Sequence, residues 1–183
     1  RSFEDRTGTG FSGKRILVIG AGGAARAAAI KAGFEGAEKL YITNRTVDKA
    51  ESIANAVNEN TSCRAGYLGI DEIGPGGILE KCDIIVNTTS VGMYPDTGGN
   101  PLDEAIPFLK HQIVYDLIYN PPKTRLMKAA EKNGCRTVNG LGMLLYQGIK
   151  AYEIWSDMKI SDKIVADIFK TFSGYFGKQE EFG

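Results

Sequence analysis

Cysteine is scarce in this chain of 183 residues: there are three, Cys63, Cys82 and Cys135. They lie far apart, are odd in number and lack metal-type spacing. That leaves no basis for a cysteine metal cluster and points to reduced thiols in a cytoplasmic protein. Histidine is scarcer still. The single one, His111, sits in polar company before an apolar run and reads as a surface residue. Net charge is absent, since 22 Lys plus Arg balance 22 Asp plus Glu. This removes any broad attraction to nucleic acid or to an anionic membrane. No apolar run approaches the roughly 18 residues that a membrane span needs, and no secretory leader pattern is visible. There is no internal repeat and no low-complexity segment. No methionine opens the chain; residues 1–12 are polar and contain glycine, and read as a linker or a processed end.

What is present is a hydrophobic fraction of 43%, ample for a core, and one organising stretch. After Arg15, Ile16-Leu17-Val18-Ile19 is a branched apolar run that stops at Gly20-Ala21-Gly22-Gly23-Ala24-Ala25. An alanine-rich, helix-favouring segment follows over residues 24–32. The pattern predicts a buried strand, a tight turn and a helix start. Gly20 permits the sharp exit from the strand, and Gly22 lets a ligand approach the backbone. The positive end of the helix then suits a pyrophosphate. Ala25 takes the place of the usual third glycine, and Gly23 is an addition to the pattern.

Further strands are predicted over residues 39–43, 62–67, 83–87, 113–118 and 136–138. Helices are predicted over 46–58, 124–133, 141–155 and 162–172, with Gly33 and Gly36 stopping the first helix. Residues 74–77 read as a loop before a short helix, 88–101 as a long loop and 177–183 as a frayed tail. Alternating strands and helices define the α/β class: a Rossmann-type, doubly wound, mostly parallel six-stranded sheet with helices on both faces, forming one domain over residues 13–176. In such a sheet the ligand lies beyond the carboxyl ends of the strands, which places the Gly20 turn beside the Asn87 loop.

The end of the second predicted strand reads the adenosine ribose. A carboxylate there would bind both ribose hydroxyls and repel a 2′-phosphate. This chain has Thr43-Asn44-Arg45-Thr46, with Lys49 one helical turn on. Asn44 suits the ribose, Arg45 and Lys49 suit a phosphate, and Thr46 can donate to it. NADP is therefore favoured over NAD. The competing reading is a solvated helix start with Thr46 as its cap, and Asp48 partly neutralises the cations.

Four motifs, in order, resemble the shikimate dehydrogenase family. Asn87-Thr88-Thr89-Ser90-Val91-Gly92-Met93 is similar to that family's Asn-Thr-Thr-x-x-Gly-Met loop. The Gly20 turn is similar to its phosphate turn, and Asn44-Arg45-Thr46-Val47-Asp48-Lys49 to its NADP-reading loop. Tyr115-Asp116-Leu117-Ile118-Tyr119-Asn120-Pro121-Pro122 and Gly140-Leu141-Gly142-Met143-Leu144-Leu145-Tyr146-Gln147 are similar to its later strand-loop and helix. The resemblance covers about residues 13–175. It implies the NADP domain of an enzyme that reduces 3-dehydroshikimate to shikimate with NADPH in aromatic amino acid biosynthesis.

By that resemblance Gly20, Ala21, Gly22, Gly23 and Ala24 hold the pyrophosphate, and Asn44, Arg45, Thr46 and Lys49 hold the 2′-phosphate. Thr88 passes beside the nicotinamide ribose, while Leu117, Gly140 and Met143 lie at the nicotinamide. Tyr119 and Gln147 reach the substrate. From the residues alone, Leu117 and Met143 read equally well as core, Tyr119 as an ordinary strand-end tyrosine and Gln147 as a solvated helix position. The family's Lys and Asp catalytic pair belongs to a substrate domain that these residues do not match, so no catalytic residue or metal ligand is assigned. The expectation is a cofactor half that binds nucleotide without turnover. A quinate/shikimate dehydrogenase of looser specificity, a non-catalytic NADP module and a Rossmann methyltransferase are the alternatives. Asp116, inside an apolar strand, reads as structural. Phe169, Phe172, Tyr175 and Phe176 form either core or a face for self-association into a homo-oligomer.

Overall fold

The computed structural model describes residues 2–74, 76–103 and 105–177. A six-stranded sheet runs in the order β3-β2-β1-β4-β5-β6. Its strands are β1 (Arg15–Ile19), β2 (Lys39–Asn44), β3 (Arg64–Gly69), β4 (Ile84–Asn87), β5 (Ile113–Asp116) and β6 (Arg136–Val138), and all neighbours pair in parallel. The order reverses between β1 and β4, and both strands are buried along their inner residues.

One face packs α2 (Gly23–Phe34) and α3 (Val47–Asn60) over Ile16, Val18, Leu40, Ile42, Ile84 and Val86. In α2 the buried positions are Ala25, Ala29, Ala32 and Gly33, side chains small enough to let the helix lie close on the sheet. In α3 Ala50, Ile53, Ala54 and Val57 form one stripe at helical spacing. The other face carries α4 (Arg125–Lys132) and the segment around Leu102, Ile106 and Phe108, packed on Leu17, Ile19, Ile85 and Val114. Two further helices, α5 (Leu141–Ser156) and α6 (Asp162–Gly177), complete the described chain.

Within residues 2–12 the structure differs from the linker reading. Ser2–Thr7 form a helix, α1, and Phe3 is buried, stacked on Phe11 with ring centroids 5.0 Å apart and tilted against Tyr115 at 5.2 Å. Arg136 Nη1 donates to the Thr7 carbonyl at 2.7 Å and so closes the carboxyl end of α1. The tie comes from a residue far along the chain, which is why local composition did not reveal it.

Gly33 does not stop α2. A Cβ there would meet Thr61 Oγ1 at 2.7 Å, so the glycine permits close approach to the end of α3. The stop is Gly36, whose φ of +81° lies just beyond the Glu35 cap. Where residues 113–118 read as one strand, β5 ends at Asp116, whose carboxylate takes the Ile118 N–H at 3.1 Å. At the carboxyl end, α6 runs on to Gly177, and residues 178–183 of the expected frayed tail lie outside the described residues. His111 is exposed and the three cysteines are buried and free. Burial pushes the Cys82 thiol up to about 12, so it is inert at neutral pH. Among the described residues no helix is long and apolar enough to cross a membrane.

Candidate cofactor site

β1 delivers the chain to Gly20 with φ of +106°, a conformation open to glycine at little cost. A Cβ here would stand 2.6 Å from Thr88 Oγ1 and 3.1 Å from Thr89 Cγ2, so the turn and the loop after β4 touch at this residue. The Gly20 N–H donates to the Thr43 carbonyl at 2.8 Å. Thr88 donates through both N–H and hydroxyl to the Ile19 carbonyl, at 2.9 and 2.7 Å. The ends of β1, β2 and β4 are thereby fastened into one edge.

Gly22 is the N-cap of α2 and makes no side-chain cap bond, and Gly23 opens the helix. A Cβ on either would meet nothing within 4 Å. Backbone donors at a helix start, with open space in front, form a cradle that a larger side chain would fill. This fits a pyrophosphate.

At the end of β2, Asn44 Nδ2 donates to the Thr46 carbonyl at 3.0 Å, which shapes the loop into α3. Thr46 occupies the N-cap of α3, yet its hydroxyl makes no cap bond. The competing reading of Thr46 as a working cap is therefore not what the geometry displays. Arg45 and Lys49 are exposed and their side chains have no hydrogen bond or ion pair among the described residues. Two cations without a partner among the described residues and an unused hydroxyl thus lie between the end of β2 and the first turn of α3.

Between α2 and the helices α1, α5 and α6 a cleft of about 1060 Å³ opens; Gly23, Ala24, Leu117, Met143 and Gln147 line it, together with residues such as Phe3, Lys31, Tyr115 and Val165. Five of the expected site residues thus share one cavity. Gly140, the N-cap of α5, stands against Leu117: a Cβ there would lie 1.9 Å from the Leu117 carbonyl oxygen. Gln147 is exposed and Met143 half-buried. Asn44, Arg45, Thr46, Lys49 and Tyr119 do not line the cleft, nor do Gly20, Ala21, Gly22, Thr88 and Gly140. For the first four this follows from their place at the end of β2; Tyr119 lies beyond β5, half-buried.

Beneath the site sits a buried polar network. Asn87 Nδ2 donates to Asp116 Oδ1 at 2.9 Å, and Thr124 donates to Asp116 Oδ2 at 2.6 Å. Asn87 Oδ1 accepts from Thr89 N–H and hydroxyl at 3.0 and 2.8 Å. Thr124 also accepts the Met127 N–H at 3.3 Å, capping α4. Desolvation pushes the Asp116 carboxyl up, against hydrogen bonds from Thr124, Ile118 and Asn87 that pull it down. Its structural reading stands. Asn87 anchors the loop and was noticed only as part of a motif; its signal was a polar residue closing an apolar strand. Arg26, the sole cation among the alanines of the first turns of α2, was passed over.

An all-parallel sheet in this order, with a glycine turn opening a helix at the point where the order reverses, defines a doubly wound dinucleotide-binding fold. The comparisons narrow the class. The Shikimate / quinate 5-dehydrogenase family model matches residues 3–94, and the Shikimate 5′-dehydrogenase C-terminal domain model matches residues 140–167. The chain belongs to the shikimate/quinate 5-dehydrogenase family. The shikimate dehydrogenase (NADP(+)) of Methanopyrus kandleri is 42% identical over 156 residues, covering 85% of this chain and 54% of that protein. A crystal structure of shikimate 5-dehydrogenase from Listeria monocytogenes in complex with shikimate and NAD superposes with a TM-score of 0.78 at 36% identity, over 91% of this chain and 59% of that one. A shikimate dehydrogenase in complex with NADP+ gives 0.78 at 35% identity, over 91% and 56%. The chain spans about half the length of the curated relatives it matches.

Proposed function

We propose that these residues are the NADP-binding part of a shikimate dehydrogenase, an oxidoreductase that reduces 3-dehydroshikimate to shikimate with NADPH. The observation that carries the reading is the pairing of an open glycine cradle at α2 with the unpartnered Arg45 and Lys49 at the end of β2. The two positions match the two charged parts of NADP.

In this reading the backbone of residues 20–24 holds the pyrophosphate, and Arg45, Thr46 and Lys49 hold the 2′-phosphate. Asn44, with its amide committed to Thr46, offers its carbonyl oxygen to the ribose. Thr88 fixes the loop beside the nicotinamide ribose. Leu117, Gly140 and Met143 shape an apolar, water-poor wall for the nicotinamide, which supplies the hydride when bound. Gln147 can donate to and accept from a substrate hydroxyl, and Tyr119 reaches toward the same substrate. No acid–base pair is assigned to these residues.

The setting is cytoplasmic, in keeping with three free thiols. The exposed Phe172, with Ile154 and Trp155 on α5, supports self-association, which sedimentation velocity measures. The family model's shared name favours quinate as a second substrate. Titration with NADPH and NADH tests the cofactor, with at least a tenfold preference for NADPH expected. Shikimate oxidation by these residues alone would contradict the reading of a cofactor half.

A further inference from the structure

We propose that Arg26 is a third cation for the 2′-phosphate and a determinant of NADP over NAD. The inference rests on the function proposed above. Arg26 lies in the first turns of α2, four residues past the Gly22 cap. Its Nη2 donates to Ser52 Oγ on α3 at 3.1 Å, and it has no carboxylate partner among the described residues. Ser52 lies three positions after Lys49, so the two share a face of α3 with Cβ atoms about 5–6 Å apart. The guanidinium is therefore held within one helical turn of Lys49, on the side of α3 that faces α2. Arg45 lies in the loop between β2 and the Thr46 cap of that helix. Arg26, Arg45 and Lys49 thus lie on the first turns of α2, the loop after β2 and the first turn of α3, where the acid in the first turn of α3 is Asp48.

A neutral hydroxyl is a weak hold on an always-charged guanidinium, which presents a planar fork suited to phosphate. The contact to Ser52 parks the side chain beside the phosphate position without neutralising it. A clamp between two helices would call for no charge at all. A phosphate reader needs one, and that difference is measurable.

The test is titration of the chain with NADPH and NADH, for the unchanged protein, Arg26→Gln, Arg26→Lys and Arg45→Ala, with thermal melting of each. Arg26→Gln is expected to weaken NADPH three- to tenfold, leave NADH unchanged and leave melting unaltered. Arg26→Lys, which keeps the charge, is expected to restore most of the preference. If Arg26→Gln weakens both nucleotides alike, or neither, Arg26 is a helix clamp and the inference is overturned while the Arg45 reading stands. If the unchanged protein binds both nucleotides equally, the function proposed above fails and this inference fails with it.

Discussion

Gly140 and Leu117 meet backbone to backbone: a Cβ on Gly140 would lie 1.9 Å from the Leu117 carbonyl oxygen and 2.5 Å from its carbon. The Gly140 N–H also donates to the Ile118 carbonyl at 2.9 Å. The start of α5 is thus locked against the strand-loop that carries the proposed nicotinamide contact. Gly140→Ala is expected to destabilise by about 1–3 kcal/mol, the usual cost of overpacking where the backbone must move. Urea unfolding measures it, and an unchanged midpoint would show that α5 is not held there.

The glycines of the proposed phosphate turn separate into two kinds. Gly20 is required by the fold, through its φ of +106° and its contact with Thr88. Gly20→Ala is expected to cost about 1–3 kcal/mol in strain. Gly23 sits in helical backbone with open space in front. Gly23→Ala is expected to keep or raise stability by up to about 1 kcal/mol while losing nucleotide affinity tenfold or more. Melting curves and fluorescence titration on both variants distinguish the two roles. Loss of stability in Gly23→Ala would contradict the assignment.

Asp116 gives a pH signature. Desolvation raises its folded pKa above the value of 3.8 for a free carboxyl. A folded state that keeps its proton longer binds more protons than the unfolded chain between the two pKa values, so this group's contribution is full below 3.8 and is lost as pH rises through its folded pKa. Asp116→Asn removes the titration. The stability of the unchanged protein relative to the variant is therefore expected to fall as pH rises through that window. Urea unfolding from acid to neutral pH reads the difference, and a relative stability that rises with pH would contradict it.

Much of this arrangement was legible in residue order because it is local. The apolar run of residues 16–19 and its glycine exit marked β1 and α2, and Ala50, Ile53, Ala54 and Val57 marked α3 by spacing. β4 was plain because a strand buried on both faces is a continuous apolar run. β3, half-exposed at the sheet edge, was placed two residues early. The hidden parts depend on contacts distant in sequence. α1 is six polar-rich residues held by Phe11, Tyr115 and Arg136. Gly33 owes its place to Thr61, and β5 ends where Asp116 turns its carboxylate to Ile118. At the candidate site, residue types alone pointed to a glycine turn and a basic loop. They did not reveal that Thr46 leaves its hydroxyl free or that Arg26 is parked on Ser52.

The most direct measurement is NADPH and NADH affinity for the unchanged chain and for Arg45→Ala. A charged hydrogen bond to phosphate is worth about 1.5–3 kcal/mol, so Arg45→Ala is expected to weaken NADPH at least tenfold and leave NADH where it was. NADPH binding that survives the substitution intact would contradict the account.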